Sequence, residues 1–485
     1  MTTLCTVRFE TLGCRLNQLE TEGAAKAFFD AGFTPLFNAP AATPAPDDAG
    51  AVLCVVNTCS VTGKAEQKAR RSIRRLLETN PNAAMLVTGC YAELDAAFLS
   101  ALDSRIAVLS GKQKQILADI PAKYRAFLQN TECEAAPGDG QGKHRAAFLS
   151  ALIHANANAS ETGQPTLAQK PFRLSTDTFF AHSRPLVKIQ EGCDNFCSYC
   201  AIRLARGKSV SLDALSVIAQ IRTLETQGQQ EVVLTGVNLC QYAGEYQGGS
   251  VDFTALLELI LENTSAIALR ISSLRPDYID GRFCSAIRDA RVRPHFHLSV
   301  QSGSNTVLAA MNRPYTAAQT AEAAARLREA KRNPFIACDI IAGFPGETDR
   351  NFEDTLELCR RCDFAWIHAF PFSPRPGTPA FSMKKHVQSS VTQERVSVLT
   401  ELAIARKITY INSFTGQSLP AIIERPRENK PANQPLRGVT ENFIHVELAA
   451  GQEQRAHKTT VRIIKPLEEH IRQGDEIEAA AVFPE

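Results

Sequence analysis

The sequence predicts an α/β chain in three parts: a parallel α/β domain, an incomplete β/α barrel and a small all-β barrel. Three observations carry this expectation. Within residues 1–130, short apolar strand patterns alternate with amphipathic helices, and three of those strands end in a cysteine. From residue 184 to about 385, strand-like and helix-like segments alternate, and about six strands can be counted against the eight of a closed barrel. Beyond a helix spanning roughly 393–413, short alternating strands run on to residue 485. The parts divide at 1–130, 131–183, 184–412 and 413–485, the second being an Ala-, Gly-, Asn-, Ser- and Thr-rich flexible linker with one short helix near 145–155.

In the first part, Thr6 to Thr11 alternate into a strand, and LGCRLNQLETEGAAKAFFDAGF then reads as a turn and an amphipathic helix ending at Gly32. AVLCVVNTC (51–59) is the continuous apolar run of a buried parallel strand, and AAMLVTGC (83–90) repeats the arrangement. Cys14, Cys59 and Cys90 thus occupy equivalent turns. Ligands of open parallel sheets bind outside the carboxyl ends of the strands, so these thiols are expected to meet over one edge of a flavodoxin-like sheet. The alternative is three unrelated buried cysteines, which is how Cys54, inside its strand, reads. The next helix carries Lys64, Lys68, Arg71 and Arg75 at three- and four-residue spacing, either a solvated face or a surface for RNA phosphates.

The central part opens on GCDNFCSYCAIRLARG, in which Cys193, Cys197 and Cys200 follow C-x3-C-x2-C. Three thiolates can hold one metal centre and leave a position without a cysteine, the pattern of an iron–sulfur cluster whose open iron takes a substrate. Zinc would call for a second cysteine pair or histidines, and the nearest, His182, lies outside the run. Several strand ends would aim polar residues into a barrel mouth: Thr235, Gly236 and Asn238; Arg270 with Ser272 and Ser273; Ser299 with Gln301; and Asp339 ahead of GFPGET. Taken singly, each has a capping or turn role as its alternative. Cys240 and Cys338 read as structural, and the Cys359–Cys362 pair, within a helix, as buried packing. Cys133, His144 and His154 in the linker receive no role.

A net charge of +2 neither demands nor excludes nucleic acid, so any RNA contact must come from local patches such as Arg425, Arg427, Lys430 and Arg437. No apolar run has the length of a bilayer span and no export signal is legible. A cytoplasmic setting away from membranes is therefore expected, with the fourteen cysteines as metal ligands and buried thiols.

CSYC, with Tyr199 between its cysteines, resembles the signature of radical S-adenosylmethionine (SAM) enzymes. The resemblance implies a partial (β/α)6 barrel in which a cluster on Cys193, Cys197 and Cys200 binds SAM and cleaves it reductively to a 5′-deoxyadenosyl radical. TLGCRLN, VVNTC, VTGC, SVQSGS and DIIAGFPGET resemble the methylthiotransferases. That likeness implies a second [4Fe–4S] cluster on Cys14, Cys59 and Cys90 that delivers sulfur. It also implies a SAM pocket drawn from Tyr199, Thr235, Gly236, Asn238, Ser272, Ser299, Gln301 and Asp339. The last part resembles a TRAM domain, an OB-like barrel that holds the macromolecular substrate. Within the family, TLGCRLNQLETE is most similar to the type that acts on N6-threonylcarbamoyladenosine at position 37 of tRNA. The types acting on isopentenyladenosine or on a ribosomal-protein aspartate are the alternatives, and a non-catalytic RNA-binding protein with metal centres is the alternative of another class. Implied partners are the tRNA anticodon stem-loop, an electron donor such as flavodoxin or ferredoxin, and a sulfur donor. The sequence departs from the family at Arg203, where a proline is usual.

Overall fold

The structure, a computed structural model, describes residues 5–37, 51–131, 140–161, 172–424, 435–448 and 458–484. The chain divides into two units. The first comprises 1–182 with 186–195 and 200–212, and the second 183–185 and 196–199 with 213–485.

In the first unit, β1 (Thr6–Thr11), β2 (Thr34–Phe37), β3 (Ala51–Thr58), β4 (Ala84–Gly89) and β5 (Ile106–Val108) form a parallel sheet in the order β2-β1-β3-β4-β5. This is the flavodoxin-like order, whose ligand crevice lies where neighbours diverge between β1 and β3. All eight residues of β3 are buried, as a strand covered on both faces requires. One face packs Phe9, Phe28 and Tyr124, and the other Val56, Ile73 and Leu76.

The supposed linker is corrected in its described part. Gly140–Glu161 is one long helix whose Ala146, Leu149 and Ile153 join the first core, together with Leu174. Those positions share one helix face, but small and polar neighbours dilute the stripe below what composition reveals. Further on, Glu22 accepts from the Phe180 and Ala181 backbone N–H groups and meets His182 Nδ1 at 2.6 Å, which ties this segment to the Arg15–Asp30 helix. Cys133 lies outside the described residues. The unit also holds β6 (Leu186–Glu191), paired antiparallel with β7 (Val210–Ser211).

The second unit contains β8 (Glu231–Gly236), the hairpin of β9 (Ala243–Tyr246) and β10 (Gly249–Asp252), and β11 (Ala268–Ile271), which runs parallel to β8. A parallel set follows: β12 (Ser273–Leu274), β13 (His295–Gln301), β14 (Phe335–Ala342) and β15 (Trp366–Pro371). With β6, strands β8, β11, β13, β14 and β15 are the six that the alternation predicts. Cys359 and Cys362 are buried in the Asp349–Cys362 helix, as expected of packing residues.

The Ser389–Asn412 helix leads into a closed barrel of β16 (Ser418–Ile423), β17 (Arg437–Thr440), β18 (His445–Leu448), β19 (Lys458–Pro466) and β20 (Ala479–Val482). Closure leaves no sheet edge exposed. Ile404 and Ile411 of the helix enter its core. Of the expected basic patch, Arg425, Arg427 and Lys430 lie outside the described residues, and Arg437 pairs with Glu476 at 3.3 Å.

Arg270 requires a second correction. It is fully buried, grips Glu231 at 2.6 Å and lies beneath the Phe443 ring, so it is a structural ion and does not line a mouth. Arg293 reaches the same carboxylate at 2.8 Å. Burial alone would raise the Glu231 pKa, but Arg270, Arg184 and Arg293 hold it at about 2.

Candidate functional site

The first unit brings the three strand-end cysteines to one place. Cys14 caps the first helix after β1, Cys59 follows β3, and Cys90 begins the helix after β4. Their turns touch. A Cβ on Gly13, whose φ is +100°, would stand 2.5 Å from Cys59 Cβ, so glycine is needed there on both counts. Asn17 donates to the carbonyls of Leu12 and Thr58, and Thr58 Oγ1 donates to Thr88 O at 2.6 Å, which ties the three strand ends together. Burial pushes the Cys59 thiol up to about 11, opposed by a hydrogen bond from the Val61 backbone, while the like charges of Cys14 and Cys90 push it further. Cys14 is exposed and the other two are buried, so the group opens to solvent on one side. Among the described residues no three His, Cys, Asp or Glu side chains form a ready-made metal sphere. The fit to a cluster is therefore one of donor chemistry and placement.

Beside these thiols lies a buried ionic group that is not legible in the sequence. Arg206 Nη1 meets Glu191 Oε1 at 2.9 Å and Glu20 Oε1 at 3.2 Å, Nη2 donates to Asn17 Oδ1 at 2.6 Å, and Nε donates to Cys90 Sγ at 3.3 Å. Lys114 and Lys188 reach Glu20 at 2.7 and 3.0 Å, and Lys188 also pairs with Glu191. Glu20 would be raised by burial, but Arg206, Lys114 and Lys188 hold it at about 2. The signal was present as charged residues at core-facing positions of apolar elements, but their partners lie far along the chain.

The C-x3-C-x2-C loop divides between the units, with Cys193 and Cys200 in the first and Cys197 in the second. In the first, the Cys193 N–H donates to Gly207 O at 3.1 Å. Gly192 has φ +70°, and a Cβ there would lie 1.9 Å from Lys208 O. Arg203, in the position where proline was expected, donates to Asp194 O at 3.0 Å and so braces its own loop. In the second unit, Arg313 Nη1 donates to Cys197 Sγ at 3.2 Å and Nη2 to Ser299 O at 3.0 Å. Ser198 N–H and Oγ bond to the carbonyls of Met311 and Ala310. Tyr199 packs against Val307, Met311 and Phe344. Arg313 was not foreseen because nothing in its local sequence points to a thiol.

The other expected pocket residues are dispersed over the second unit's strand ends. Thr235 and Gly236 close β8 and Asn238 follows them. Ser272 Oγ is buried with no hydrogen-bond partner among the described residues, an exception to the rule that buried hydroxyls are paired. Ser299 and Gln301 end β13, and Gln301 has φ +69°, strain of the kind concentrated at functional segments. Asp339 sits within β14, where it meets His297 Nε2 at 3.2 Å. His297 Nδ1 contacts Ser273 Oγ at 2.6 Å, and the His368 ring lies 5.4 Å from that of His297. This polar row includes two histidines not singled out from sequence, although HFHLSVQ alternates.

Comparison with known proteins agrees with this architecture. Residues 6–111 match the model of the uncharacterized protein family UPF0004, and residues 187–359 that of the radical SAM superfamily. The threonylcarbamoyladenosine tRNA methylthiotransferase MtaB of Treponema pallidum (strain Nichols) is 42% identical over 91% of this chain and 94% of its own. The protein of that name from Thermotoga maritima is 33% identical over 86% of each. The fold is also similar to the radical SAM methyltransferase TsrM from Kitasatospora setae, with a TM-score of 0.51 at 14% identity, covering 78% of this chain and 77% of that one. Within the described residues no helix is long and apolar enough to cross a membrane. On the extent of these matches, the chain belongs to the radical SAM methylthiotransferase family of the MtaB type.

Proposed function

We propose that this chain transfers a methylthio group to carbon 2 of N6-threonylcarbamoyladenosine at position 37 of tRNA. The observation that carries the reading is the pairing, on one chain, of a C-x3-C-x2-C loop with three strand-end cysteines at the switch point of a flavodoxin-like sheet. A [4Fe–4S] cluster on Cys193, Cys197 and Cys200 would supply reductive cleavage of SAM, and a second on Cys14, Cys59 and Cys90 would supply sulfur.

The chain's own residues hold and shield these centres. Arg313 fixes Cys197 against the end of β13, and Tyr199 lies in the apolar cluster around Phe344, which keeps water from that side. Thr235, Gly236, Asn238, Ser272, Ser299, Gln301 and Asp339 are the proposed SAM contacts, the orphan hydroxyl of Ser272 being the most direct support. The adenine must leave its stack to be reached, so an anticodon loop is a better substrate than a duplex. With a tRNA substrate the proposed setting is the cytoplasm, where an electron donor such as flavodoxin or ferredoxin and a sulfur donor would serve the reaction.

Mass spectrometry of tRNA nucleosides from cells lacking this protein tests the reading. The expected result is selective loss of the 2-methylthio derivative of threonylcarbamoyladenosine. Loss of the isopentenyl derivative instead, or of the modified ribosomal aspartate, would reassign the substrate.

A further inference from the structure

Among the described residues, cations outnumber carboxylates in the buried ionic group beside Cys90. Lys114, Lys188 and Arg206 pair with two carboxylates, Glu20 and Glu191, and all five groups are buried. The thiols of Cys90 and Cys14 also act on Arg206 in favour of its charge. A buried cation in excess is costly unless an anion accompanies it. A four-iron core with two positive charges, held by three thiolates, carries one net negative charge, which is the complement of this group. The guanidinium also spans the relevant segments. It lies in the helix that follows Cys200, grips Glu191 just before Cys193, and reaches Asn17 in the helix after Cys14 and the sulfur of Cys90.

Resting on the assignment of Cys14, Cys59 and Cys90 to a second cluster, we propose that Arg206 is the positioning residue and counter-charge of that cluster. Its N–H to the Cys90 sulfur and the net positive charge of its ionic group set the cluster's reduction potential and hold it in place. Charge near the cluster and hydrogen bonds to its sulfurs are established levers on such potentials. Removing positive charge should lower the potential, and removing negative charge should raise it.

The experiment uses the full chain carrying Cys193→Ala, Cys197→Ala and Cys200→Ala, reconstituted anaerobically with iron and sulfide so that the remaining cluster is observed alone. Potentials are read by EPR-monitored titration with dithionite, and iron is counted per chain. Arg206→Gln should shift the potential negative and reduce retained iron. Glu20→Gln, which removes a carboxylate of similar shape, should shift it positive. Arg206→Lys, keeping charge but losing the fork, should fall between Arg206→Gln and the parent. A merely structural role would move the Gln variants in the same direction, and shifts of the same sign or no shift overturn the proposal. If Arg206→Gln retains no cluster, Glu20→Gln decides alone, a positive shift supporting and any other result overturning it. A parent chain that binds no iron overturns the cluster assignment itself, and the proposal with it.

Discussion

The two cysteine triads reach their places by opposite routes. Cys193, Cys197 and Cys200 lie within one short loop, so their proximity is covalent, and the fold has only to shape the loop and support it through Arg203 and Arg313. Cys14, Cys59 and Cys90 are distant in sequence and meet only because a parallel sheet delivers the ends of β1, β3 and β4 to one edge. A loop of close cysteines can be read as a motif and survives modest change in the fold around it. A site assembled from strand ends depends on sheet order and on the buried ions packed beneath it.

Measurements on each triad test this contrast. The largest effect is expected from replacing Cys193, Cys197 and Cys200 with alanine, which should abolish 5′-deoxyadenosine formation and reduce iron from about eight to about four per chain. Continued SAM cleavage would sink the assignment of that loop. Replacing Cys14, Cys59 and Cys90 should do the converse, sparing SAM cleavage while eliminating the methylthio product in an assay with tRNA. If both activities fall together, the triads do not have separate roles.

A smaller effect tests the buried ions of the second unit. Glu231→Gln leaves Arg270 and Arg293 without their carboxylate and should cost about 3–5 kcal/mol, read as a lower denaturant midpoint. The folded-state pKa of Glu231 is depressed to about 2. Its stabilisation is therefore complete above the ordinary carboxylate value and is lost as pH falls from about 4.5 towards about 2. The variant should show a shallower loss over that window, and an unchanged acid profile would mean that other groups dominate it.

The smallest effects separate loop shape from loop chemistry. Gly192→Ala combines a left-handed backbone with overlap on Lys208 O and should cost about 3 kcal/mol. Gly207→Ala, at φ +77° and ψ −162°, also occupies a backbone region kept for glycine but has open space around it, and should cost about 2 kcal/mol. Equal losses in thermal melts of the iron-free chain would show that the overlap relaxes freely.

Much of this architecture was legible because local periodicity and local chemistry agreed. The predicted strand at Thr6–Thr11 has those limits, and AVLCVVNTC yields β3 because a strand buried on both faces must be apolar throughout. The Gly140–Glu161 helix was underestimated because Ala146, Leu149 and Ile153 are too sparse among Asn, Ala and Ser to declare a core face. Arg270 was misread because a charged residue at a strand end looks the same whether it lines a mouth or pairs with a buried Glu231. Arg313, His297 and His368 were passed over because their significance lies in a thiol, a carboxylate and a ring contributed by other elements.

Spacings of a few residues and whole-chain similarity were enough for the loop cysteines, the repeated strand-then-cysteine boundary, the strand and helix rhythm and the family. It took the fold to bring Asn17 and Thr58 across the cysteine turns and to join Arg206 with Glu20, Glu191 and Cys90 in one buried group. The physical reason is that burial removes the water that would otherwise screen these charges. A charged side chain then acquires its meaning from whichever distant partner the fold places against it.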